Sequence, residues 1–311
     1  MIKNFISVII PTYKRPKDLA KCLKGLEKQR RKADEVLVII RNSDKETWNF
    51  FEDNKFLLNI KKIKINIPGQ VAALNVGLNT TKGEIITITD DDCIPHKNWL
   101  ELIEKHFNSD SKIGAVGGKD NLFHNNKFIN GKKEKIGKIT WYGGLKGYHH
   151  LGFGKPREVD HLKGANISFR KEAIKNIYFD KRLKGKGAQV RNDTSICLRL
   201  KKLEWKIVYD PNIIVDHHMA VRYEENKRGN FNWTAVEEGA YNETLVLLEY
   251  LKPLNKVAYL FYSLFIGNIF TPGIIQCLRI LPREKVYALL RLFAAYKGRW
   301  EGFKIDYINK R

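Results

Sequence analysis

The sequence predicts an α/β fold built on a mostly parallel sheet flanked by helices, and three observations predict it. Aliphatic and β-branched runs alternate with stretches of helical spacing between Phe5 and His218. The runs are continuously apolar rather than alternating, as in strands covered on both faces. One run, Ile85–Thr89, follows Gly83-Glu84 and closes on Asp90-Asp91-Asp92; open α/β sheets bind ligands beyond the carboxyl ends of their strands.

Phe5 to Ile10 reads as a first buried strand, ended by Pro11-Thr12-Tyr13. Lys17 to Gln29 carries Leu19, Cys22, Leu23 and Leu26 at helical spacing. Glu35 to Ile40 is a second strand, and a short third near Ile63–Ile67 stops at Pro68-Gly69. A helix is expected over Val71–Leu78, and another from Asn98, a capping residue type, to Phe107. Ile113–Gly117 follows as a short strand. From Asn121 to Arg157 periodicity fades into Gly, Lys, His and aromatics, Trp141 among them. Interleaved aromatics argue against disorder, which leaves a substrate-binding loop or a surface excursion that packs back on the core. Order returns with Val159–Leu162 and Lys163–Arg170. A helix is then expected over Lys171–Asn176, and an amphipathic one over Asp193–Leu203. Two further strands are expected, Trp205 to Pro211 with its turn and Ile213 to His218.

The composition narrows the class. A chain of 311 residues with 43% hydrophobic residues forms one large core or two smaller ones. Lys and Arg exceed the acids, 56 against 34, for a net charge of +22, which suits an anionic membrane surface, a phosphorylated substrate or nucleic acid. No zinc-finger spacing, RNP-like motif or KH context is present, so specific nucleic-acid binding is not expected. Cys22, Cys93, Cys197 and Cys277 are widely spaced without a CxxC, which indicates neither a zinc site nor a disulfide framework and fits a reduced, cytosolic setting. The first strand begins too early to leave room for a signal peptide.

The tail differs. Ala235–Leu251 reads as an amphipathic helix, and Val257–Leu278 carries no charged residue. Its length approaches that of a membrane span, but Asn268, Pro272-Gly273 and Gln276 interrupt it, and Lys252, Lys256, Arg279 and Arg283 flank it. An interfacial or re-entrant hairpin with a basic collar fits; so does a buried helical hairpin.

The acid triplet carries the chemistry. Adjacent carboxylates repel unless a proton or cation joins them, and oxygen ligands suit Mg²⁺ or Mn²⁺, which bridge carboxylates to phosphate. A solvated acidic turn is the plainer reading; the position after a buried strand favours the metal.

Taken together, the motifs resemble the family 2 glycosyltransferases of GT-A (Rossmann-like) fold. The likeness runs from Ser7-Val8-Ile9-Ile10-Pro11-Thr12-Tyr13-Lys14-Arg15 through Ala73-Leu74-Asn75-Val76-Gly77 to Asp90-Asp91-Asp92, which stands in the place of the family's DxD motif. It continues through Gly164-Ala165-Asn166 on the acceptor side, Asn192-Asp193, Val208-Tyr209-Asp210-Pro211 and His217. The resemblance implies an inverting, metal-dependent transfer of sugar from a nucleotide-diphosphate sugar to a glycan or lipid-linked acceptor. Asp193 would be the catalytic base, and Asp92 and His217 would hold a divalent cation (Mg²⁺ or Mn²⁺). Pro11, Thr12, Tyr13, Arg15, Arg41, Asn75, Asp90 and Asp91 would bind the donor, with Trp141, Gly164, Ala165 and Asn166 facing the acceptor. Residues 1–225 would form the catalytic domain, with a nucleotide-binding half 1–120 and an acceptor half 121–225. Residues 226–311 would form a helical region that sits peripherally or monotopically at the cytoplasmic membrane face. Three departures stand out: Arg41 replaces an acid that many members carry after the second strand, Asn192 replaces the Glu before the base, and Ser195 replaces an acid after it. They motivate a second reading, a catalytically inactive, membrane-bound scaffold of the same fold.

Overall fold

The computed structural model describes residues 3–125, 127–224 and 231–308. Its centre is β1 (Ile6–Thr12), buried along its whole length, hence the unbroken apolar run. β1 pairs in parallel with β2 (Glu35–Arg41) and with β4 (Ile85–Thr89), and β2 with β3 (Ile60–Ile65). The helices between these strands are α1 (Pro16–Glu27), α2 (Lys45–Asp53) and α3 (Gln70–Thr80). α3 lies so close on β1 that a Cβ on Gly77 would stand 2.6 Å from Ile9 Cγ2.

Beyond β4 come β5 (Cys93–Pro95), α4 (Trp99–Ser109) and β6 (Ile113–His124). β7 (Lys127–Phe128), β8 (Lys138–Ile139), β9 (Leu145–Lys146) and β10 (Arg157–Glu158) are short, and β11 (Asn166–Arg170) re-enters the main sheet. α5 (Asn192–Lys202) and β12 (Lys206–His218) complete it. The strand order is β10-β12-β6-β11-β4-β1-β2-β3.

The expected mostly parallel sheet is therefore mixed. β3-β2-β1-β4 are parallel, but β11 lies antiparallel between β4 and β6. Neighbouring side chains of one strand point to opposite faces, which gives two cores. Val8, Ile10, Val36 and Val38 pack with Leu19, Leu23, Trp99 and Ile103 of α1 and α4. Ile9, Leu37, Ile39 and Ile86 pack with Leu74 of α3 and, across the other layer, Leu245 and Val246.

Other expectations need correction. Lys171–Asn176 is a series of turns, not a helix; six residues cannot repay helix nucleation, and Asn176 turns left-handed at φ 61°. The strand expected at Ile63–Ile67 lies three residues earlier, and the one expected at Ile113–Gly117 runs on to His124. The two strands expected over 205–218 are one, β12, whose register against β6 shifts between Asp210 and Ile214. Pro211 falls in that shift, where its missing N–H costs the ladder little.

The tail comprises α6 (Trp233–Tyr250), α7 (Pro253–Phe265), α8 (Ile274–Glu284) and α9 (Val286–Ile308). The expected domain boundary at 225/226 lies outside the described residues. α6 contributes to the sheet core and packs tightly on α9: a Cβ on Gly298 would meet Glu237 O at 2.1 Å. The apolar segment folds as a hairpin of α7 and α8, its bend spanning the Gly267–Pro272 bridge. Buried Arg299 of α9 donates to the Pro272 and Thr271 carbonyls at 2.9 and 2.6 Å, which fastens the bend. Among the described residues, no helix is long and apolar enough to cross a membrane.

Candidate functional site

The carboxyl ends of β2, β1 and β4, the segment entering β11, the start of α5 and the end of β12 surround one cleft of about 350 Å³, the size of a small-molecule site. Because these strands are neighbours, Arg41, Thr12, Asp90 and Gly164 follow one another across it.

The acid triplet forms its floor. Asp91 is fully buried; it accepts the Thr12 hydroxyl at 2.7 Å and pairs with Arg15 at 2.8 Å. Burial nevertheless raises its carboxyl to about 7, with Asp92 adding to the effect and Arg15 opposing it. Asp90 accepts from Gln70 Nε2 at 3.2 Å. Asp92 is buried too, but it accepts the Ala220 N–H at 3.0 Å and faces His217 Nε2 at 3.4 Å. Burial works against its charge, yet His217 and Arg15 hold it well below the usual carboxylate range.

His217 is the hinge between two acids. Its Nδ1 lies 3.4 Å from Asp120 Oδ2, and Lys163 forms an ion pair with the same carboxylate. Burial lowers the imidazole's affinity for a proton, but Asp120 and Asp92 more than offset this and push it up to about 9. Asp92, Cys93 and His217 place their donor atoms within 4.8 Å of one another. Burial pushes the Cys93 thiol well up, so it stays a thiol beside an oxygen and a nitrogen donor.

At the β2 side, the Arg41 guanidinium lies 3.9 Å from the centre of the Tyr13 ring and pairs with Glu224 at 2.6 Å. Tyr223 meets Tyr13 edge-on at 6.2 Å. At the β11 side, Asp193 Oδ2 accepts the Gly164 N–H at 3.1 Å, and Oδ1 accepts the Thr194 N–H at 2.7 Å. Asp193 sits inside the first turn of α5, where the helix dipole favours a carboxylate; the cap position belongs to Arg191, left-handed at φ 75° and paired with Glu243 of α6 at 2.5 Å.

A model of one sequence family, glycosyl transferase family 2, matches residues 7–178, more than half of the chain. The chain belongs to glycosyl transferase family 2. It is 36% identical over 105 residues to glycosyltransferase AglE of Haloferax volcanii, covering 31% of this chain and 33% of that one. It is 23% identical over 280 residues to the probable glycosyltransferase YdaM of Bacillus subtilis, covering 87% of this chain and 64% of that one. The chain thus spans a third of one relative and less than two thirds of the other. The mannosyltransferase PcManGT of Pyrobaculum calidifontis, solved with GDP-Man and Mn²⁺, superposes with a TM-score of 0.56 at 16% identity, covering 97% of this chain and 88% of that one. That likeness is one of fold, GT-A.

Of the residues the family resemblance singles out, Pro11, Thr12, Tyr13, Arg15, Arg41, Asp90, Asp92, Gly164, Ala165, Asp193 and His217 line this cleft. Asp91 lies beneath it. Asn75 and Asn166 are buried and bracket backbone: Asn75 spans Phe179 N and O, and Asn166 holds the Trp99 indole and the Lys119 and Ile213 carbonyls. Trp141 is 68% exposed and lies outside the cleft lining. The family motifs missed Gln70, Lys163, Tyr223 and Glu224, which also line it. Only Lys163 had a sequence signal, its place directly before Gly164-Ala165-Asn166.

Behind Asp193, His161 is buried with its Nε2 unpaired. Burial and neighbouring His149 push it down to about 4. A histidine whose folded value lies below its unfolded one is held neutral, so its cost appears as pH falls through about 6.5, the unfolded value, and grows until about 4. The expected result is that thermal melts of wild type and His161→Phe diverge between pH 6.5 and 4.5, the variant gaining relative stability as pH falls; a constant difference contradicts this.

Proposed function

We propose that the protein is an inverting glycosyltransferase that moves a sugar from a nucleotide-diphosphate sugar to a hydroxyl of a glycan or lipid-linked acceptor. The observation that carries this reading is the convergence of Asp90, Asp92, His217 and Asp193 on the one cleft that Tyr13 and Arg41 also line. Family membership supports it, and the same convergence argues against the inactive-scaffold reading, since the departures at Asn192 and Ser195 leave the outer acids and Asp193 in place.

A divalent cation fits the donor set. Asp92 and His217 present a carboxylate oxygen and an imidazole nitrogen to each other at 3.4 Å, and a divalent cation would displace the imidazole proton on binding. When bound, it would offset the negative charge of the departing diphosphate. The fold relative solved with Mn²⁺ supports that choice.

The rest of the chemistry falls to the chain. Tyr13 offers an aromatic face and Arg41 a fixed charge for the nucleoside. Asp193 accepts the proton of the acceptor hydroxyl as its oxygen bonds to the anomeric carbon, and the bond from that carbon to the diphosphate breaks on the opposite side. The nucleotide diphosphate leaves with the bonding pair. The Gly164 N–H fixes the direction in which Asp193 points.

The tail supplies a membrane contact in this reading. Val257, Phe261 and Leu264 on α7, Ile269 at the bend, and Ile275 and Leu278 on α8 are exposed, and exposed Arg279 and Arg283 flank them. Apolar area beside cations fits an anionic bilayer surface at the cytoplasmic face, where each basic residue adds about 1 kcal/mol. The four free, buried cysteines are compatible with a reducing compartment.

Two outcomes test these proposals. Asp193→Asn is expected to keep nucleotide-diphosphate affinity and lose transfer by about 10²- to 10⁴-fold, the usual contribution of a general base; undiminished turnover moves the base elsewhere. Full-length wild type is expected to float with phosphatidylglycerol-containing liposomes, while Phe261→Glu/Leu278→Glu keeps its melting midpoint and stays at the bottom of the gradient. Wild type that ignores anionic vesicles sinks the membrane contact.

A further inference from the structure

The segment from β7 to β10 is a built arm with an unusual charge. Between 127 and 157 it holds eight Lys and Arg residues and one acid, Glu134, against 56 to 34 in the whole chain. The general basic character of the protein therefore does not account for it. Lys132, Lys133 and Lys135 are exposed in succession. Aromatic rings are interleaved: Lys132 lies 5.8 Å from the centre of Phe153, Lys133 5.7 Å from Tyr148, and exposed Trp141 meets Tyr142 edge-on at 5.6 Å.

The arm is ordered by its backbone. Lys133 N–H donates to Leu151 O and Gly137 N–H to Gly147 O, both at 2.9 Å, and β8 pairs with β9. Tyr142 packs on Tyr262 of α7 at 4.8 Å. Its root is tied to the chain just before the cleft: the Gly137 carbonyl accepts the Asp160 and His161 N–H groups. Three residues beyond His161, Gly164 bonds Asp193. The arm is thus rooted on the chain that leads into the Gly164–Asp193 side of the cleft, where an acceptor hydroxyl would arrive.

We propose that the acceptor is a polyanionic glycan, a sugar chain bearing phosphodiester groups, and that the arm over residues 127–157 grips it while one hydroxyl reaches Asp193. This rests on the glycosyltransferase reading above. The lysines neutralise successive phosphates, and Trp141, Tyr148 and Phe153 offer faces to the apolar sides of sugar rings. A single-stranded nucleic acid would use the same two chemistries. A sugar chain is favoured because the root of the arm leads to the residue that would activate an acceptor hydroxyl.

The test measures binding of the full chain to phosphorylated dextran, with plain dextran and an oligothymidylate of matched phosphate count as comparators. Phosphorylated dextran is expected to bind at least ten-fold more tightly than either. Lys132→Glu/Lys133→Glu/Lys135→Glu should weaken it ten-fold or more and flatten its salt dependence, with an unchanged melting midpoint. Trp141→Ala should weaken it about three-fold without changing the salt slope, because stacking carries no charge. The same reversal at exposed Lys21 and Lys24 on α1 and Lys28 at its C-terminal cap should change affinity less than two-fold. Equal losses from the two triple variants, an arm variant that binds like wild type, or oligothymidylate bound as tightly as the glycan overturns the proposal. Nucleotide-diphosphate binding, measured in parallel, separates this from failure of the donor reading: the arm variant should retain it, whereas its absence from wild type counts against the donor site alone.

Discussion

Three adjacent carboxylates at the end of a buried strand must be compensated, and much of the cleft is arranged to do so. Asp91 takes Thr12 and Arg15 from the end of β1 and the turn after it; Asp92 takes His217 from the end of β12 and a backbone N–H from Ala220. His217 is then shared with Asp120 of β6, whose second partner is Lys163. In a low dielectric an unpaired member of such a set costs several kcal/mol, so these strand ends are bound to one geometry. Compensation is incomplete at Asp91, whose carboxyl burial raises to about 7 despite the guanidinium beside it. A cluster of this kind can be held by protons or by a divalent cation.

The cleft is also coupled to the helical tail. Arg191, the residue that caps α5 and so positions Asp193, is held by Glu243 of α6. α6 in turn rests on α9, where Gly298 and Gly302 permit backbone contact. The tail is thus part of the scaffold of α5, while its outer face, on α7 and α8, remains apolar and exposed. Tyr142 joins the basic arm to that same hairpin through Tyr262.

How much of this was legible depended on whether a feature is local. The parallel half of the sheet was, because strands buried on both faces need unbroken apolar runs, and Ile6–Thr12, Glu35–Arg41 and Ile85–Thr89 have them. The direction of β11 was not, since a strand's composition is the same whichever way it runs. Lys171–Asn176 carries the core residues Ala173 and Ile174, but the segment is too short to be a helix. In the site, strand-end acids and His217 were legible by position. The roles of Asp120, Lys163, Gln70 and Glu224 were not, because each arises from a partner far away in sequence. Asn75 and Asn166 illustrate the opposite case: both fall within family motifs, and here both brace buried backbone, which a sequence pattern cannot distinguish from ligand contact.

The central claim is that the cluster around Asp92 takes up a cation in order to hold a nucleotide diphosphate. Calorimetric titration of wild type and Asp92→Ala with UDP, GDP, CDP and dTDP, each in Mn²⁺ and in EDTA, addresses it directly. The account predicts that at least one diphosphate binds wild type ten-fold or more tightly in Mn²⁺ than in EDTA, and that Asp92→Ala loses this difference. A diphosphate that binds both proteins equally well in Mn²⁺ and in EDTA would contradict it.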